Sequence, residues 1–73
     1  LKFVASNMDT LSKDMASGQG ETLLSLAELM NVSKEARPEF YAALQTNFSS
    51  IFTSENIEAG AVIDNIMTVT AKG

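Results

Sequence analysis

Few side chains in this sequence could carry chemistry at neutral pH. The 73 residues hold nine acids and five bases, and neither His nor Cys. General acid–base work needs titrating groups placed together. The groups available are the carboxylates, Lys2, Lys13, Lys34, Lys72 and Tyr41. No carboxylate pair sits in an apolar setting that would raise a pKa. Ser and Thr are plentiful, but a nucleophile needs a base to activate it. The sequence therefore reads as non-enzymatic. Without His or Cys it has no zinc or haem ligands of the usual kind, and no cofactor is expected. The acids of "SENIEAG" (Ser54 to Gly60) lack the alternation of a calcium loop and read as an acidic helix start.

One stretch, "DMASGQGET" (Asp14 to Thr22), could pass for a phosphate-binding turn. Such a turn follows a strand, opens a helix and carries GxGxxG or GxxxxGK[ST]. Here the glycines follow a helical pattern, and Glu21 stands where an anion would want a positive charge. The stretch reads instead as a junction, with Gly18 ending one helix and Gly20 leading into the next.

The elements around that junction come from apolar periodicity. Leu1, Val4, Met8, Leu11 and Met15 share about 80° of a helical wheel. Leu23, Leu24, Leu26, Ala27, Leu29 and Met30 cover more than half of the next one. Asn31 can end that helix in the left-handed conformation, and "VSKEAR" is a connector with one turn begun by Ser33. Pro38 suits the first position of a third helix, where its missing N–H costs nothing. There Phe40, Tyr41, Leu44, Phe48, Ile51 and Phe52 span about 120° and form an aromatic heart to the core. Small residues behind them (Ala42, Ala43, Thr46, Ser49 and Ser50) would let another helix approach. Thr53 or Ser54 caps a fourth helix, with Glu55 and Glu58 in its first turns. Its stripe is Val62, Ile63, Ile66, Met67 and Val69, with Asn65 on the polar side, and Lys72 and Gly73 close it. All four methionines (Met8, Met15, Met30 and Met67) lie on apolar stripes and read as core filler.

The expected fold is all-α, a single domain over 1–73. It is a small four-helix up-and-down bundle with helices at about 2–17, 20–31, 38–52 and 54–70. A chain this short barely supports a core. The net charge of −4 and the lack of a basic stripe argue against nucleic acid. No run is long and apolar enough to span a bilayer.

The acidic helical character is similar to that of acyl carrier proteins, but Asp9-Thr10-Leu11 has Thr where their attachment motif has Ser. A closer resemblance lies in Phe3 to Met30, "FVASNMDTLSKDMASGQGETLLSLAELM". Phe3-Val4, Asn7-Met8, Leu11, Asp14-Met15-Ala16, Gly18, Gly20-Glu21, Leu24 and Leu26-Ala27 carry it, with a second block at "LQTNFSSIF" (Leu44 to Phe52). These residues resemble the bacterial domain-of-unknown-function family numbered 3015, small exported proteins of proteobacteria. The resemblance implies a Gram-negative source, a periplasmic or secreted location, and a longer precursor of which this chain is the helical C-terminal part. It implies no activity and no catalytic residues.

These readings converge on a structural or protein-interaction module. The apolar excess on the second and fourth helices, with the small back of the third, marks Leu24, Leu29, Ala42, Ser49, Ile63 and Met67 as an interaction surface. Its partner would be a second copy, giving a homo-oligomer, or an envelope protein. The alternative is a carrier holding an apolar ligand in the bundle core, in a cavity lined by Leu24, Phe48 and Ile66.

Overall fold

The computed structural model describes residues 2–71 and is all-helical over them. Leu1, Lys72 and Gly73, which the sequence assigns to the first stripe and to the closing turn, lie outside the described residues. The elements are α1 (Lys2–Ser6), α2 (Met8–Ser17), α3 (Glu21–Leu29), α4 (Arg37–Thr46), α5 (Phe48–Ile51) and α6 (Ala59–Ala71). A 3₁₀ turn at Lys34–Ala36 precedes α4.

Two expected helices are each interrupted once, at an asparagine. The Asn7 amide Nδ2 donates to Phe3 O at 2.9 Å, and the Asn47 amide does the same to Ala43 O at 2.8 Å. Each bonds the carbonyl four residues back, while its own backbone leaves the helical region (φ −128° and −103°). The chain then resumes, with Leu11 N–H donating to Asn7 O and Ile51 N–H to Asn47 O. Asn is a poor interior helix residue because its amide competes for backbone partners: at Asn7 the backbone N–H is shifted to Val4 O, while at Asn47 it shares Ala43 O with the amide.

Gly18 (φ 78°) and Asn31 (φ 59°) are both left-handed, as their types predict, and both end helices in the same way. Gly18 N–H donates to Met15 O and Gln19 N–H to Asp14 O. Asn31 N–H donates to Glu28 O and Val32 N–H to Ala27 O. Pro38 lies in the first turn of α4, and Ser33 O accepts Ala36 N–H in the expected turn.

The start of the fourth helix is corrected. It begins at Ala59, not near 54, so Thr53 and Ser54 cap nothing and Glu55 is outside the helix. Ser54 O is used in a turn that accepts Ile57 N–H, and the first α6 bond runs from Val62 N–H to Glu58 O. Ile57 packs against the core, which holds this segment as a loop rather than a helical turn.

Every helix contributes to one core: Val4 from α1, Leu11 and Met15 from α2, Leu23, Leu26 and Ala27 from α3, Phe40 and Leu44 from α4, Ile51 from α5, and Val62 and Ile66 from α6. No polar or charged residue is fully buried with them among the described residues. α2 packs on α3 and α4, and α6 packs on α1, α4 and α5. The aromatic heart is smaller than the periodicity implies. Phe40 is buried, but Tyr41, Phe48 and Phe52 only flank the core. Met67 also departs from its expected core place and is 57% exposed.

Candidate functional site

The glycine-bearing stretch forms a joint between α2 and α3. The Asp14 carboxylate, in the last turn of α2, accepts the Thr22 N–H at 2.9 Å. It thereby satisfies one of the free donors at the start of α3. Gly20 (φ 141°) adopts a backbone that L residues avoid, and a Cβ there would fall on the Asp14 carboxyl group. On the other side, Gln45 Nε2 of α4 donates to Ala16 O at 3.0 Å. A Cβ at Gly18 would lie 2.8 Å from Gln45 Oε1. The donors that a phosphate would need are thus partly occupied by the protein's own carboxylate.

Several hydroxyls are likewise committed. Thr10, Ser12, Ser17, Thr68 and Thr70 each donate to a backbone carbonyl three or four residues earlier. Asn65, expected on the polar side, is half-buried and donates to Ile51 O at 3.0 Å, fastening α6 to the end of α5.

The six residues of the expected interaction surface do not form one patch. Ile63 and Met67 of α6 line a groove with Ile66 and with Leu26 and Met30 of α3. The groove has a volume of about 130 Å³. Leu29, 53% exposed, is about 60° from Leu26 and about 100° from Met30 around α3. Leu24, 42% exposed, is about 140° away from Leu29 around α3, on the opposite flank of the buried stripe. Ala42 and Ser49 are exposed on α4 and α5 and do not line this groove. Of the small residues behind the third helix, Ala43 lines a pocket together with Val69 of α6, while Ala42, Thr46, Ser49 and Ser50 are exposed. The carrier lining also disperses, with Ile66 in the α3–α6 groove, Phe48 in a different cleft and Leu24 at the surface.

That second cleft, of about 460 Å³, lies between α2, α5 and the loop before α6. Met8, Phe48, Phe52 and Ile57 supply its apolar lining, and Asp9, Ser12, Ser54 and Glu55 its polar lining. The Phe48 and Phe52 rings are stacked with centroids 5.4 Å apart. Sequence reasoning misses this cleft because it takes Ser54 to Glu58 as helix. The four-residue spacing of Phe48 and Phe52 is the one signal that points to the ring pair.

Among the described residues, no three of His, Cys, Asp and Glu are grouped to hold a metal ion. No described helix is long and apolar enough to cross a membrane. No curated protein and no solved structure matches the chain. A family model does match, over residues 1–73, and the chain belongs to the family described as "Protein of unknown function (DUF3015)".

Proposed function

We propose that this chain is a non-enzymatic structural or protein-interaction module of the bacterial periplasm or extracellular space, and that it docks a second copy of itself through the α3–α6 groove. The location rests on the family resemblance. We read α1 with α2, then α3, then α4 with α5, then α6, as the four arms of an up-and-down bundle.

The observation that carries the docking proposal is a groove lined only by Leu26, Met30, Ile63, Ile66 and Met67, beside the exposed Leu29. A volume of about 130 Å³ is below the roughly 300 Å³ of small-molecule pockets and near the ~150 Å³ that accepts one benzene ring. It suits one apolar side chain better than a lipid. With the hole and an exposed leucine both on α3, two copies related by a two-fold axis are expected each to fill the other. The patch is small, so the dimer is expected to be weak and concentration-dependent.

Sedimentation equilibrium of the whole chain tests this. A monomer–dimer equilibrium that Leu29→Lys or Met67→Lys shifts to monomer, with helicity unchanged, supports it. A wild-type chain that stays monomeric at the highest attainable concentration overturns self-association.

A further inference from the structure

We propose that the cleft between α2, α5 and the loop before α6 binds an organic cation: an ammonium group carried on an apolar body. This site is separate from the α3–α6 groove and does not depend on self-association. Its volume of about 460 Å³ falls in the ~300–1,000 Å³ range of small-molecule sites. Its apolar part is made by Met8, Phe48, Phe52 and Ile57, and includes the stacked ring pair. Its two charged groups are Asp9 on α2 and Glu55 in the loop. No Lys or Arg lines it.

That combination selects among ligand classes. A fatty acid or other apolar anion would bring a third negative charge beside Asp9 and Glu55. A neutral apolar ligand would cover the apolar lining but gain nothing from the two exposed carboxylates. An ammonium ion on an apolar body answers both: the body covers the methionine, isoleucine and ring carbons, and the cation meets the carboxylates. An ammonium near a phenyl face gains further from the ring quadrupole. The net charge of −4 adds a field of the right sign for capture.

The test uses octyltrimethylammonium below its micelle concentration, with octyl sulfate and octanol as matched controls. Binding is read by chemical-shift changes in the whole chain. The expected result is saturable binding of the ammonium compound, with the largest shifts at Met8, Phe48, Phe52 and Ile57. Asp9→Asn and Glu55→Gln, both at exposed positions, should each weaken it by about 2–5-fold, and the pair by about tenfold. Added salt should weaken it further. Equal binding of octyl sulfate, shifts centred on Leu29 and Met67 instead, or indifference to the paired substitution would overturn the proposal.

Discussion

Asp14 in the last turn of α2 caps the following helix: its carboxylate accepts the N–H of Thr22, eight residues on, at 2.9 Å. The glycines between them make that geometry possible. Gly18 turns the chain left-handed, and Gly20 leaves open the space that the carboxylate fills. Gln45 of α4 closes the far side by bonding Ala16 O. Asp14, Gly18 and Gly20, which carry part of the family resemblance, are thus accounted for as a joint between three helices. The same stretch that suggests a phosphate loop binds its own carboxylate instead.

Gly20→Ala should destabilise by about 2–4 kcal/mol, combining backbone strain with loss of the cap. Asp14→Ala alone should cost about 0.5–2 kcal/mol. The two effects are not independent, because a methyl group at Gly20 displaces the carboxylate that Asp14→Ala removes. Denaturant melts of both single variants and the double should therefore show the double costing less than the sum. Strict additivity would mean that the cap and the glycine are unrelated.

Tyr41 presents the opposite case, a polar atom without compensation. Its hydroxyl is buried and has no hydrogen-bond partner among the described residues. Leaving such a group unsatisfied costs about 1–3 kcal/mol. Tyr41→Phe removes the group and keeps the ring against Phe40, whose centroid is 6.0 Å away. The variant should be as stable as wild type or more stable, by up to about 1 kcal/mol in urea unfolding. A loss of 1 kcal/mol or more would mean that the hydroxyl is satisfied in solution.

The parts of this fold legible in the sequence are those set by backbone chemistry. Gly18 and Asn31 end helices because few other residues tolerate positive φ. Pro38 marks the first turn of α4 for a similar local reason. Asn7 and Asn47 are not legible as interruptions, because an amide within a helix can equally point to water. The choice of the carbonyl four residues back is visible only in the structure. Ser54 and Glu55 imitate a helix start, yet the packing of Ile57 against the core keeps that segment a loop. For the α3–α6 groove, the sequence reading marks Ile63 and Met67 as surface but leaves Leu26 and Met30 as ordinary members of the α3 stripe. Which flank of α3 meets α6 is a matter of topology, and no single-helix pattern contains it.

Glycine to alanine should have opposite signs at two positions. Gly60 lies in the first turn of α6, with no other group within 4 Å of where a Cβ would stand. Alanine there lowers the entropy of the unfolded chain and should stabilise by about 0.4–1 kcal/mol. For a domain of this size that raises Tm by roughly 2–8 °C. At Gly18 the backbone is left-handed and Gln45 occupies the space, so the same change should lower Tm. Calorimetry of the two variants decides it, and a drop in Tm for Gly60→Ala would contradict the open first turn.

Leu44 and Phe48 lie one helical turn apart on either side of the Asn47 interruption, and their burial differs in a way that their types do not suggest. Leu44 is fully buried, while Phe48 keeps part of its ring at the α2–α5 cleft against Phe52. On sequence alone Phe48 is the larger anchor, and its truncation would cost about 3–5 kcal/mol. The structure reverses the order. Leu44→Ala removes core atoms that neighbours on several helices surround, and should cost about 2–5 kcal/mol. In a domain whose whole stability is on the order of 5 kcal/mol, that approaches unfolding. Phe48→Ala opens a cleft already in contact with water, so solvent rather than an empty cavity replaces the ring, and the cost should be the smaller of the two. Thermal melts of both variants give the comparison directly. A Phe48→Ala chain less stable than Leu44→Ala would place the second ring of the stack inside the core.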